Sequence, residues 1–146
     1  IRMNQMVARV TESGVPLVYV NMVGGQDDQA FDGGSFVLNR GAQLAVQLPV
    51  FDEAITQVDF VRGAEGWAAE QGPRATFPDA IAQDYRAMVV TLGDYLRKSG
   101  FSRVLLGLSG GIDSALVATI AADALGPSNV RGVMLPSEFT SRESLD

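Results

Sequence analysis

Two serines, three glycines and an aspartate stand close together in Gly107-Leu108-Ser109-Gly110-Gly111-Ile112-Asp113-Ser114, the stretch richest in groups that could do chemistry. Just upstream, Arg103-Val104-Leu105-Leu106 is a short apolar run that predicts a buried strand. Downstream, residues 114–125 carry apolar side chains at helical spacing. A strand that ends in small residues and restarts as a helix aims several backbone N–H groups at one spot. That spot lies at the positive end of the new helix, which suits a bound anion.

Several motifs compete for this turn. A Walker A loop requires G-x-x-x-x-G-K-[ST], and no lysine is present here. A dinucleotide fingerprint requires G-x-G-x-x-G, and Ser109 occupies the place of its second glycine. Gly107-Leu108-Ser109-Gly110-Gly111 does satisfy G-x-S-x-G, the nucleophile elbow of serine hydrolases, in a strand-to-helix context. The elbow gives no reason for Asp113 and Ser114, and it calls for an α/β-hydrolase sheet upstream, where hairpin signals stand instead.

The elements that must position the turn can be read on either side of it. From Asp79, residues Ile81, Tyr85, Met88, Val89, Leu92, Tyr95 and Leu96 form an amphipathic stripe, with Pro78 and Asp79 as start signals and Lys98 and Gly100 as stops. The tyrosines and Met88 are expected in the core. In the helix after the turn, Leu116, Val117, Ile120, Ala121, Ala124 and Leu125 are expected to face inward, its alanines allowing close approach to a sheet, with Gly126-Pro127 ending it. Val130 to Leu135 predicts another strand, and Thr140-Ser141-Arg142-Glu143 has the capping-box form of a further helix start. Strand, helix, strand and helix in this order predict a βαβ unit with parallel strands and a right-handed crossover.

The first half reads differently. Met3, Met6, Val7 and Val10 suit one face of a helix that Gly14 stops. Leu17 to Val23 is nearly all apolar and predicts a strand covered on both faces. Gly24 to Asp28 reads as a loop, with Asp27, Asp28 and Asp32 as solvated or turn carboxylates rather than a metal cluster. Residues 35–38 and 44–48 flank Asn39-Arg40-Gly41-Ala42 as a hairpin, and Gln57 to Val61 predicts a further strand. Residues 63–78 hold three glycines and two prolines without periodicity. They read as an ordered linker on which Trp67 and Phe77 pack against a neighbouring surface.

Composition narrows the function classes. A chain of 146 residues, 47% hydrophobic and 19% charged, has enough apolar residues for one core or parts of two. A net charge of −6 opposes a general nucleic-acid coat but not one nucleotide met locally. No apolar run approaches a membrane span, and nothing at the start resembles a signal peptide. With neither cysteine nor histidine present, cysteine metal sites and His-dependent mechanisms within these residues are excluded. Beginning at Ile1 and stopping at Asp146, the chain reads as an internal fragment of a longer polypeptide.

Ser109-Gly110-Gly111-Ile112-Asp113-Ser114 satisfies S-G-G-x-D-S without a gap and resembles the signature of the N-type ATP pyrophosphatases, or PP-loop family. The physics agrees: the glycines admit close approach, the hydroxyls and first-turn N–H groups can cradle two phosphates, and Asp113 can hold Mg²⁺ against them. GMP synthetases, asparagine synthetases and tRNA-modifying enzymes share this signature, so it fixes a reaction class and no substrate. Gly132 to Ser141 looks like the second-strand segment of NAD synthetases, from M-x-P-S to T-S. Val20 to Asp27 and Phe31 to Phe36 resemble the C-terminal part of a nitrilase-type glutaminase. That fusion is the arrangement of the glutamine-dependent NAD⁺ synthetase family.

The resemblance implies an α/β chain: residues 1–62 as the C-terminal part of a nitrilase-like α-β-β-α domain, 63–78 as linker, and 79–146 as the start of a parallel-sheet, adenine-nucleotide α-hydrolase-like ATP-binding domain. It implies ATP on Gly107, Leu108, Ser109, Gly110, Gly111, Ile112, Asp113 and Ser114, Mg²⁺ on Asp113, and Met134 and Leu135 at the adenine edge. The implied reaction adenylates deamido-NAD⁺ and lets ammonia from glutamine displace AMP, pyrophosphate having left. The Glu-Lys-Cys set of nitrilase-type amidases is expected before Ile1, so the fragment alone is expected to be inactive. A cytoplasmic homo-oligomer with neither nucleic-acid nor membrane partners is expected. The alternatives are another PP-loop ligase, a non-catalytic nucleotide-binding module and the serine hydrolase.

Overall fold

The expected first helix forms as α1 (Arg2–Ser13) in the computed structural model, which describes residues 2–134. Val10 is buried with Phe36 and Leu38, and Met3, Met6 and Val7 pack around them. Gly14 ends the helix at φ +66, donating its N–H to the Val10 carbonyl at 3.0 Å. The strands that follow are β1 (Leu17–Tyr19), β2 (Val23–Gln26), β3 (Gln29–Asp32), β4 (Phe36–Asn39), β5 (Gln43–Gln47), β6 (Phe60–Gly63) and β7 (Gly66–Ala69). Then come α2 (Ala80–Lys98), β8 (Val104–Leu108), α3 (Ile112–Leu125) and β9 (Val130–Met134). The described residues divide into two compact units, one of residues 2–23 and 31–79, the other of residues 24–30 and 80–134.

In the first unit β1, β4 and β5 make an antiparallel sheet with β4 at its centre. The hairpin expected around residue 40 is present, its turn passing through positive φ at Gly41 and Ala42. β4 is buried along its whole length: Phe36 and Leu38 face α1, while Val37 joins Val46, Ala45 and Ala69. The run 17–23, expected as one doubly covered strand, is broken: β1 covers Leu17–Tyr19, Val23 opens β2, and Val20 between them is 79% exposed. Its apolar character is real, but among the described residues β1 pairs on one edge only, with β4, and Val18 is 54% exposed. The doubly covered position belongs to the central strand.

Three further expectations change. Gly24 to Gln26 is not loop: β2 pairs with β3, leaving Asp27-Asp28 as the turn, with Asp27 at φ +52. The strand expected at 57–61 begins at Phe60, because its partner is β7, and the turn between them sets the register Phe60↔Ala69 to Gly63↔Gly66. Val58 instead packs on the core around Val46. The stretch 63–78 therefore contains a strand, and its later part runs beside β5, with Gln47 N–H to the Pro73 carbonyl at 2.8 Å and Ala75 N–H to the Gln47 carbonyl at 2.9 Å. Asn39 locks β7 in place by a reciprocal pair with Ala69, 2.8 Å in each direction. Phe77 reaches Gly34, while Trp67 is half-exposed.

Asp32 stands apart from the two turn carboxylates. Both of its oxygens are held by Arg2, at 2.7 and 2.9 Å, and Asn21 donates a third bond at 2.8 Å. The Arg2 guanidinium also lies over Tyr19, 5.5 Å from the ring centroid.

In the second unit β8 and β9 pair in parallel, from Val104↔Val130 to Leu108↔Met134, with α3 between them in sequence. That is the expected βαβ order. The strand is less buried than its composition suggests: Leu105 is 68% exposed, and among the described residues β8 pairs with β9 alone. On α2, Leu96 is buried, but Ile81, Met88 and Tyr95 are exposed rather than core. On α3, Ile120 and Ala121 are buried while Leu116 and Val117 are half-exposed. This helix is apolar on all sides, so composition did not single out the face that is covered. The small residue Ala124 serves a helix contact as well, since its carbonyl oxygen lies 3.4 Å from where a Cβ on Gly93 would sit. Gly126 at φ +83 closes α3, its N–H bonded to the Ala122 carbonyl at 2.8 Å.

The tip of the β2–β3 hairpin, residues 24–30, groups with α2. Asp94 accepts the Gly25 N–H at 3.0 Å, and Lys98 donates to the Gly25 carbonyl. Arg97 and Lys98 flank the same carboxylate. Burial pushes the Asp94 carboxyl up, but the Gly25 bond and the two cationic neighbours outweigh it and hold it below the usual carboxylate range.

Candidate functional site

The turn begins where β8 ends. Leu108 pairs with Met134 across the ladder, Ser109 and Gly110 leave the strand, and Gly111 caps α3 in extended conformation. Gly110 takes φ +78, a left-handed value that a side chain would strain. α3 begins at Ile112, two residues before the apolar periodicity suggests, which places Asp113 in its first turn.

The two serines hold the loop closed upon itself. Ser109 Oγ and Ser114 Oγ lie 3.2 Å apart, and the Ser109 N–H points at Ser114 Oγ at 3.3 Å. Ser114 donates to the Gly111 carbonyl at 2.9 Å, and the Gly111 N–H reaches Ser109 Oγ at 3.4 Å. Most of these bonds are long and exposed, so an anion with better acceptors could exchange with them at small cost. The first-turn amides of α3 have no intrahelical acceptors and share the same end of the helix.

All eight residues of the turn are thus brought together at the C-terminal end of the parallel pair, where α/β sheets place their ligands. Ser109, Gly110, Gly111 and Asp113 are exposed, and Ile112 is 81% exposed, so its side chain is not part of a core. No hydrogen bond or ion pair from any described residue engages the Asp113 carboxylate. Among the described residues this carboxylate is an unengaged hard oxygen donor directly before Ser114, the kind of group that can ligate a divalent cation. Met134 ends β9 directly beside Leu108, partly exposed. Leu135 and the capping box at 140–143 lie outside the described residues.

Towards the far end of α3, Tyr85 donates its hydroxyl to Asp123 at 2.6 Å, which raises the phenol above its ordinary range. One neighbour of the turn has no signal in the serine-glycine motif itself: Gly132, against which Leu108 sits. A glycine inside an apolar strand run is the sequence sign of such a close approach.

Known proteins resemble this chain in sequence and in fold. Residues 84–146 match the NAD synthase family. The chain is 67% identical over 139 residues to the glutamine-dependent NAD(+) synthetase of Rhodobacter capsulatus, covering 95% of this chain and 25% of that protein. It is 46% identical over 132 residues to the enzyme of the same name from Acinetobacter baylyi, covering 90% of this chain and 24% of that one. Among solved structures, glutamine-dependent NAD+ synthetase from Acinetobacter baumannii in complex with ADP superposes with a TM-score of 0.88 at 40% identity, over 99% of this chain and 27% of that one. The chain spans about a quarter of the length of these curated relatives. It is therefore a partial-length homologue of the glutamine-dependent NAD(+) synthetases, with residues 84–146 falling in the NAD synthase family.

Proposed function

We propose that residues 107–114 bind the phosphates of ATP in a glutamine-dependent NAD⁺ synthetase, an ATP-dependent carbon–nitrogen ligase. The observation that carries this reading is the convergence of Ser109 Oγ and Ser114 Oγ, 3.2 Å apart, at the N-terminus of α3 beside Asp113, whose carboxylate no described residue engages. The ADP held by the Acinetobacter baumannii relative supports a nucleotide site in this architecture.

In this assignment the serine hydroxyls and first-turn amides bind phosphate oxygens, and Gly110 and Gly111 let the phosphates approach the backbone. Asp113 would hold Mg²⁺, whose chemistry there would be to offset negative charge on the phosphates. Met134, at the strand end beside Leu108, meets the adenine edge, and Leu135 is assigned there from sequence. The nicotinate carboxyl of deamido-NAD⁺ is adenylated, and ammonia released from glutamine displaces AMP. The glutaminase nucleophile comes from outside these residues, which contain no cysteine.

Residues 1–62 then form the end of a nitrilase-like glutaminase domain, 63–78 the linker, and 79–146 the start of a PP-loop domain, working as a cytoplasmic homo-oligomer. No helix among the described residues is long and apolar enough to cross a membrane. The test is to give the full-length polypeptide Mg-ATP, deamido-NAD⁺ and glutamine and identify the products. AMP and pyrophosphate in step with NAD⁺ support the ligase; release of inorganic phosphate, or nucleotide binding without turnover, overturns it.

A further inference from the structure

We propose that Gly132 is a positioning residue for the serine-glycine turn: its bare backbone in β9 is the seat on which Leu108, the residue the turn departs from, rests. The inference depends on the nucleotide reading for its functional consequence, though not for its geometry.

The parallel register pairs Leu106 with Gly132 and Leu108 with Met134. With a period of two, Leu106, Leu108, Gly132 and Met134 share one face of the pair. Leu108 leans back across that face over Gly132. A Cβ placed on Gly132 would stand 2.5 Å from Leu108 Cδ1 and 3.1 Å from its Cγ. Turning χ2 of the leucine relieves the first contact but leaves Cγ where it is. Full relief needs a change of χ1, restricted to staggered wells, or a shift of the Leu108 backbone. Ser109 follows immediately, and its N–H and hydroxyl are tied to Ser114 Oγ by bonds of 3.3 and 3.2 Å, long enough to break under a small displacement. At Gly107, by contrast, an added Cβ would meet nothing within 4 Å, so crowding at Gly132 is specific to the leucine. Glycine at 132 thus lets the strand end tightly and fixes where the serine hydroxyls point.

The experiment uses the full-length polypeptide and titrates Mg-ATP alone by calorimetry into the wild type, Gly132→Ala, Gly132→Val, Leu108→Ala and the pair Gly132→Val/Leu108→Ala. Steady-state KM for ATP, kcat and Tm are measured alongside. Affinity is expected to fall about threefold for Gly132→Ala and about tenfold or more for Gly132→Val, since small misplacements of binding groups are costly. The pair is expected to return to within about twofold of Leu108→Ala, since deleting the isobutyl group removes the clash. KM for ATP should rise with kcat less affected. Wild-type affinity in Gly132→Val, or a pair that recovers Tm but not affinity, overturns the proposal. Should the wild type itself bind no Mg-ATP, the nucleotide reading falls, and the crystal structure of Gly132→Val decides the positioning claim: an unmoved Ser109 overturns it, a displaced Ser109 restored in the pair supports it.

Discussion

Two of the molecule's three glycine pairs, Gly24-Gly25 in β2 and Gly110-Gly111 in the turn before α3, serve opposite ends. Gly24-Gly25 packs against α2: a Cβ on Gly24 would collide with Asp94 Oδ2, and one on Gly25 would stand 3.0 Å from both the Cα and the carbonyl oxygen of Thr91. Gly110-Gly111 presents: Gly110 and Gly111 are exposed, and a Cβ on Gly111 would meet only Ser109 Oγ at 3.4 Å. The first pair is glycine because a neighbouring helix leaves no room. The second is glycine because the backbone must reverse at φ +78 while its amides stay accessible. Glycine therefore reports a constraint on the chain, and only the surroundings tell whether that constraint is structural or functional.

The sharpest way to break the contrast is at the carboxylates beside each pair. If the exposed turn is the functional one, Asp113→Ala should lower NAD⁺ formation by about 10²-fold or more, in keeping with losing a group that stabilises transferring phosphate. Glutamine hydrolysis should stay measurable, and Tm should change little, because no described residue engages that carboxylate. Unchanged synthesis would remove Asp113 from the metal role and reduce the turn to an ordinary helix start.

The packed pair should respond the other way. Gly25→Ala forces a methyl group onto the Thr91 backbone, which no side-chain rotation can clear, so it is expected to destabilise by about 1–3 kcal/mol in urea denaturation. Affinity for Mg-ATP should be retained. Wild-type stability would show that the hairpin tip is not held against α2.

How much of this was legible depends on where the partners lie in sequence. The serine-glycine turn could be read because all of its hydrogen bonds close within residues 109–115. The hairpin tip could not: Asp94 follows Gly25 by 69 positions, and nothing in Gly24-Gly25 points to it. For the same reason the bidentate Arg2–Asp32 pair and the Asn39–Ala69 clasp leave no local trace, each spanning 30 positions. Apolar runs mislead differently. Leu17 to Val23 and Val104 to Leu106 have similar composition to a central strand, yet hydrophobicity records how much cover a segment favours and not which neighbour supplies it. β4, with less apolar length and an asparagine at its end, is the strand buried throughout because it lies between two others. The stripe of α1 gave its inward face correctly; that of α2 gave Leu96 but also Ile81, Met88 and Tyr95, which are exposed, and α3, apolar all round, marked no single face.

The smallest effect also separates the two pairs, because the packed one is held by a carboxylate that two cations face. Asp94 is held below the usual carboxylate range, so it binds a proton less readily in the folded state than in the unfolded one. Its contribution is therefore fully present above the unfolded-state pKa, about 3.9 for an aspartate, and is lost as pH falls through the lower folded value. Asp94→Asn keeps an oxygen that can accept the Gly25 N–H but removes the charge that Arg97 and Lys98 face. The variant should be less stable than the wild type near pH 7, and the gap should narrow as pH drops below about 4. Because Arg97 and Lys98 are largely exposed, the gap should also shrink in added salt. A gap that is constant from about pH 7 to about pH 3 would mean that geometry, not charge, holds the tip. The clasp on Gly25 would then be a hydrogen bond that neutral Asn serves less well, and the contrast with Asp113 would rest on packing alone.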